Sequence, residues 1–309
     1  MSIFCQKGSS RNTSFSFQST PTHTWLKQFS HQEEKALANL LVSKIQYWGP
    51  DEIRDGVVKL HHQLITQEVK PDNSIYTYFG NAKSGGLIAY YYRQANHLPS
   101  DARFERKGLD HFIDWTQLKQ WHPSAEKPNI VLLDDGIQRG KNVIQYLEIL
   151  SEQNPALKQS PFYVAVLSAD PSGVRTIEES ARKMGYQRLN VLYVAQTRKL
   201  GDPENTDFSE KQTQQLDQVI RRYLSRFPER LEEVYHKGFA KYYNTFYFNS
   251  PANTIPLLQY DYPNVWKGLF KRFWGQANTQ RGEARPFRVD NFATKHLPLP
   301  SAGHSNSVP

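Results

Sequence analysis

Apolar positions along this chain alternate between short continuous runs and a spacing of three and four, which predicts strands and helices in turn. Leu37, Leu40, Leu41, Ile45 and Trp48 share one helical face, opened by Ser30 with Glu33 at capping-box spacing and closed by Gly49-Pro50. A second helix starts near Asp51, with Ile53, Val57, Leu60 and Leu64 on one side. Ile75 to Phe79 is aromatic and β-branched and reads as a strand; a polar loop from Gly80 to Gly86 follows, then a helical segment from Leu87 to Ala95. Residues 97–128 are polar, with a helix expected in LDHFIDWTQLKQW. Ile130 to Leu133 is an aliphatic run, and Val143, Leu147 and Leu150 after it have helical spacing. Phe162 to Ser168 and Asn190 to Thr197 are further strand candidates, separated by a helix from Ser172 that stops at Gly185. Such alternation predicts an α/β fold, a mostly parallel sheet flanked by helices.

The flanks have a different texture. Residues 1–24 read as a polar tail and 25–70 as an N-terminal helical cover; 71–205 hold the α/β core. From 206 to 275 an α+β extension is expected. Its first helix is capped by Ser209 and Gln212 and carries Leu216, Val219, Ile220, Tyr223, Leu224 and Phe227. Aromatics alternate from Tyr243 to Phe248, and Trp266, Leu269 and Phe270 recur at helical spacing. Residues 276–309 read as a disordered tail.

The chemistry concentrates in NIVLLDDGIQRGKN, residues 129–142. Asp134 and Asp135 end the aliphatic strand, and the carboxyl edge of a parallel sheet is where such folds bind ligands. Gly136 and Gly140 bracket a polar turn, and the amides of Gln138, Arg139, Gly140, Lys141 and Asn142 would open the next helix, a place that favours an anion. Gly140 permits close approach of the backbone. Acids that accept from hydroxyls beside a nest that holds phosphate suit a sugar phosphate. A P-loop is rejected: GIQRGKN is one residue short of that motif and has no hydroxyl for magnesium. The plainer alternative is a strand ending in a solvated acidic turn. Lys83, Ser84, Gly85 and Gly86 form a second phosphate-compatible loop after the preceding strand. Asp170 and Arg198 fall on the same predicted edge, although Asp170 before Pro171 is also a turn-starting aspartate. His61 and His62 lack the further ligands a metal site needs.

Composition narrows the setting. Cys5 is the single cysteine, so no internal disulfide forms and a reducing compartment is expected. No stretch approaches a membrane span and the N-terminus lacks a signal-peptide core, so a cytoplasmic protein with no membrane partner is predicted. The formal charge of +8 favours polyanionic partners and leaves nucleic acid open as one, although no nucleic-acid recognition pattern is present.

The Asp134-Asp135 strand and its glycine loop resemble the phosphoribosyl pyrophosphate motif of type I phosphoribosyltransferases. That resemblance implies that the acids hold the ribose 2′ and 3′ hydroxyls, that the loop holds the 5′-phosphate, and that Lys83–Gly86 contact pyrophosphate. Magnesium (Mg2+) would bridge the ligand's pyrophosphate and ribose oxygens, with no separate protein metal site. Arg139 and Asn142 depart from the threonine and hydroxyl residue usual there. Trp25, Leu26 and Phe29, Asn253, Thr254, Pro256 and Leu257, and Trp266, Lys267, Leu269, Phe270 and Arg272 resemble the family with a C-terminal extension called PRTase-CE. It implies a phosphoribosyltransferase-like, Rossmann-like core and a phosphoribosyl pyrophosphate-type ligand. It also implies a setting in bacterial anti-phage conflict systems, some of them retrons, with a protein partner from the same operon. A glycosyl-transferring enzyme is the leading expectation, and a non-catalytic nucleotide sensor or toxin component the alternative.

Overall fold

The computed structural model describes residues 20–79, 84–98, 112–121, 127–262 and 264–270. A five-stranded, all-parallel sheet forms the centre: β2 (Ser74–Tyr78), β3 (Phe112–Asp114), β4 (Asn129–Ile137), β5 (Phe162–Ala169) and β6 (Leu189–Gln196), in the order β3-β2-β4-β5-β6. Its inner strands read as continuous apolar runs because both faces are covered. Ile130, Leu132, Phe162, Val164 and Val166 meet α5 (Trp115–Gln120), α6 (Lys141–Gln153) and α7 (Pro171–Lys183) on one side. Val131, Leu133, Tyr163, Ala165 and Leu167 meet α3 (Pro50–Thr66) and α4 (Ser84–Ala95) on the other.

The chain runs from β2 outward to β3, then back across to β4 and onward to β5 and β6. The direction of winding therefore reverses between β2 and β4. The helices that follow these two strands, α4 and α6, lie on opposite faces, which opens a crevice at the strands' carboxyl ends.

The N- and C-terminal parts close on each other. Helices α1 (Thr20–Leu26), α2 (Gln32–Ser43), α8 (Glu210–Leu224) and α10 (Pro256–Gln259) share one apolar core, to which Trp25, Phe29, Tyr223, Leu257 and Trp266 belong. Both indole N–H groups, of Trp25 and Trp266, donate to the Leu257 carbonyl at 2.9 and 2.8 Å. Gln28 exchanges hydrogen bonds with the Lys267 backbone, donating at 2.9 Å and accepting at 2.6 Å. A short strand β1 (Gln46–Trp48) pairs in parallel with β7 (Asn244–Phe246), and α9 (Glu229–His236) completes the extension.

Several local expectations shift. The helix α1 begins inside the stretch expected to be a tail. Helix α2 is capped one residue later than Ser30, at His31, whose N–H donates to Glu34. Trp48 belongs to β1 rather than to a helix face. Residues 112–114 of the expected LDHFIDWTQLKQW helix pair with β2 as an edge strand instead, because Tyr76, Thr77 and Tyr78 offer partners there. Trp266, Leu269 and Phe270 pack without a helix, held by hydrogen bonds such as Phe270 N–H to the carbonyl of Leu258 in α10 at 2.8 Å.

Candidate functional site

The acids do not end their strand. β4 continues through Asp134 and Asp135 to Ile137, paired with β5 through Asp134–Val166, Gly136–Ser168 and Ile137–Ala169. Both carboxylates are half-buried. Desolvation pushes Asp134 well above the usual carboxylate range, and the charge of Asp135 adds to it. Asp135 is raised for the same first reason, although hydrogen bonds from Ser84 and the Gly136 amide oppose the shift. Asp134 Oδ1 accepts from the Asp135 N–H at 2.9 Å and from Ser84 Oγ at 3.3 Å.

That last contact spans the crevice between β2 and β4. Ser84, Gly85 and Gly86 form the first turn of α4 rather than a flexible loop. A helix is feasible there because Gly85 lies against the backbone: a Cβ would sit 3.1 Å from the Leu133 oxygen and 3.2 Å from the Phe79 nitrogen. Gly86 lies beside the ring of Tyr78. Lys83 lies outside the described residues.

Beyond the acids the turn is short. Gly140 is the N-cap of α6 in the left-handed region, at φ +73°, so Lys141 and Asn142 are the helix's first residues. Gly140 has no side chain to cap with, so first-turn N–H groups, which an α-helix never satisfies internally, are offered to a ligand or solvent. Gln138 and Gly140 press on α7. A Cβ on Gly173 would lie 2.2 Å from the Gln138 carbonyl oxygen, and one on Gly140 would lie 2.7 Å from Ile177. Gly136 packs on Ser168, whose Oγ would stand 3.1 Å from an added Cβ. The exposed Arg139 stacks its guanidinium over Phe239, 3.9 Å from the ring centre.

The other predicted edge residues serve the fold. Asp170 caps α7, accepting from the Ser172 N–H at 2.8 Å and Oγ at 2.6 Å, and its second oxygen accepts from Tyr242 at 2.6 Å. Arg198 donates to the Lys44 carbonyl at 2.9 Å and pairs with Asp207 at 3.3 Å. His61 sits with Nδ1 2.7 Å from the Tyr92 hydroxyl. No group of three or more His, Cys, Asp or Glu could hold a metal among the described residues, and no described helix is long and apolar enough to cross a membrane. Tyr242 and Phe239 were not among the expected site residues. Their only sequence signal is membership of an aromatic-rich stretch, which by itself reads as packing.

A parallel sheet with a β2/β4 crevice, paired acids on β4 and a glycine-opened α6 defines a phosphoribosyltransferase-like α/β protein. Residues 22–272 match the PRTase-CE family, and the chain belongs to that family. Xanthine-guanine-hypoxanthine phosphoribosyltransferase from Helicobacter pylori is 11% identical, covering 48% of this chain and 90% of its own, with a TM-score of 0.29. Orotate phosphoribosyltransferase from Aeropyrum pernix is 16% identical, covering 45% and 69%, with a TM-score of 0.27. The AQ2163 protein from Aquifex aeolicus is 13% identical, covering 56% and 88%, at 0.32. No curated protein matches the chain. The fold assignment rests on the family match and the sheet itself.

Proposed function

We propose that this protein binds a ribose 5-phosphate ligand of the phosphoribosyl pyrophosphate type in the β2/β4 crevice and transfers its phosphoribosyl group. The observation that carries this reading is the meeting of two half-buried carboxylates with an uncapped helix start within one continuous segment of chain. Asp134 and Asp135 accept from the ribose hydroxyls, and the amides of Gln138 to Asn142 hold the 5′-phosphate. The α4 turn at Ser84–Gly86 lies across the crevice, where its backbone meets the leaving pyrophosphate, while the Ser84 hydroxyl donates to Asp134 Oδ1 at 3.3 Å. In the reaction the bond from the anomeric carbon to pyrophosphate breaks, a bond from the acceptor nucleophile forms, and the acceptor's proton passes to solvent. The chain's contribution is positioning and charge complementarity to the leaving group.

The carboxylate pair suits a hard cation such as magnesium, which favours oxygen donors shared with ligand phosphates over an all-protein cage. Bound there, it would supply charge neutralisation for the leaving pyrophosphate. Asp134 and Asp135 are the residues that would hold it, directly or through the ribose oxygens.

Calorimetry with phosphoribosyl pyrophosphate and magnesium tests the site: Asp135→Asn should weaken binding at least about tenfold, the loss of a charge-assisted hydrogen bond. Pyrophosphate release with a panel of nucleobases and water as acceptors then tests turnover. Equal binding by wild type and Asp135→Asn overturns the assignment. One observation favours a second reading, a sensor that binds without turnover. Arg139, where a threonine is usual in the resembled motif, is occupied by Phe239 of the extension. Binding with no pyrophosphate release under any acceptor would select it. The proposed setting, a bacterial anti-phage system with a protein partner, is tested by phage challenge of cells carrying wild type or Asp135→Asn; equal plating on both excludes a role for this site.

A further inference from the structure

We propose that the C-terminal extension braces the phosphate-holding turn through two contacts, Tyr242 on Asp170 and Phe239 on Arg139, so that Tyr242 and Phe239 are positioning residues for the ligand. The inference rests on the ligand reading above for its consequence, though not for its geometry.

The brace is a continuous chain of contacts. The turn from Gln138 to Gly140 leans on Gly173 and Ile177 of α7 with no space to spare. Helix α7 is fixed by Asp170, whose Oδ1 accepts from Ser172 and whose backbone N–H donates to the Ile137 carbonyl at 2.8 Å. That last bond ties the end of β5 to the residue just before the turn. Asp170 Oδ2 takes the Tyr242 hydroxyl at 2.6 Å. Desolvation tends to raise the Asp170 carboxyl, yet the Ser172 and Tyr242 hydroxyls prevail and hold it below the usual range, so the ionised acceptor is the form both donors meet.

Tyr242 is itself held from behind. Its N–H donates to the Asn253 carbonyl at 3.2 Å, and its carbonyl accepts from the Ile255 N–H at 2.8 Å. The Asn253-Thr254 segment that marks the extension in sequence thus aims Tyr242 at the core. Next to it, Leu200 N–H donates to the Lys241 carbonyl at 2.9 Å, and Lys241 Nζ reaches Asp217 of α8 at 2.9 Å. Phe239 adds a direct contact, since its ring carries the side chain of the turn's own Arg139. Packing alone would not need an ionised capping residue and a guanidinium, both next to the same turn.

Hydrogen exchange of full-length protein reads the brace without any ligand. In Tyr242→Phe and in Phe239→Leu, the Asp170 and Ile144 amides, bonded to the Ile137 and Gly140 carbonyls at 2.8 and 3.0 Å on either side of the turn, should exchange about tenfold faster, a coupling of ordinary size between parts of one protein, with α8 peptides unchanged. Calorimetry should show ribose 5-phosphate binding weakened by a similar factor, and Phe239→Trp, which keeps a ring beneath Arg139, should restore both readouts. Unchanged exchange at Asp170 and Ile144 in both variants overturns the proposal. If Tyr242→Phe instead accelerates exchange everywhere, Phe239→Leu decides. A wild type that fails to bind ribose 5-phosphate sinks the ligand reading while the exchange result still judges the brace.

Discussion

Three glycines separate the two reasons for which the turn at 138–140 is built as it is. Gly185, after α7, has φ +87° with nothing within 4 Å of an added Cβ, so Gly185→Ala reports left-handed strain alone. An L-residue in that region costs about 1–2 kcal/mol, offset in part by the lower entropy of the unfolded chain, which leaves about 1 kcal/mol. Gly173 has no positive φ, but its Cβ would lie 2.2 Å from the Gln138 oxygen and 2.9 Å from the Gln138 carbonyl carbon. Those are backbone atoms and cannot swing aside. Gly173→Ala should therefore push the turn away at the overpacking cost of about 1–3 kcal/mol. Gly140→Ala incurs both, with φ +73°, Ile177 at 2.7 Å and the Gly173 carbonyl at 2.9 Å, for about 2–4 kcal/mol. At about 2–4 °C per kcal/mol for a unit of this size, thermal unfolding should order the midpoints wild type, Gly185→Ala, then Gly140→Ala, the last lower by about 4–16 °C. Ribose 5-phosphate binding, measured below the lowest midpoint, should be lost in Gly140→Ala and Gly173→Ala and kept in Gly185→Ala. A Gly140→Ala protein no less stable than Gly185→Ala would refute the tight seat of the turn on α7.

Two carboxylates of opposite tendency give opposite pH responses. Asp134 has a folded pKa above its unfolded one, so its contribution favours folding at low pH and is lost as pH rises through the raised value. Asp134→Asn should flatten that decline and raise the midpoint at pH 7 while abolishing ligand binding; a lower midpoint at pH 7 in scans from pH 4 to 7 would count against the buried-charge account. Burial tends to raise Glu34, but the Tyr223 hydroxyl at 2.7 Å, the His31 amide and Arg222 hold it below its ordinary value. Its stabilisation is present above the unfolded pKa and lost as pH falls through the lowered one, and Glu34→Ala, which leaves the buried Tyr223 hydroxyl short of an acceptor, should cost about 1–3 kcal/mol at pH 7 in urea unfolding. No change of the midpoint in Glu34→Ala would show that the α2–α8 contact does not depend on this carboxylate.

Much of the core was legible because its signals are local. Ser209 and Gln212 cap α8 as their spacing predicts, each backbone N–H donating to the other's side chain. Ile53, Val57, Leu60 and Leu64 are all buried on α3. The DDG segment announced a strand running into a helix. The same local reasoning placed Ser84–Gly86 in a loop, because two glycines disfavour a helix; tertiary contact of Gly85 with the backbone of Leu133 in β4 and of Phe79 just after β2 outweighs that preference. It also missed β1, whose three residues are too short to show a period, whereas the alternating aromatics from Tyr243 to Phe248 do span β7.

From the order of its residues alone, the chain specified alternating strands and helices, a pair of adjacent acids and a glycine where the backbone comes close at the start of a helix. These follow from side-chain periodicity and backbone sterics, which act over a few residues. Folding in three dimensions decided the rest. It put the reversal of winding between β2 and β4, brought Ser84 to Asp134 across 50 positions, and led Tyr242 to Asp170 across 72. Those contacts depend on which surfaces bury each other, and no periodicity within a segment records its distant partner.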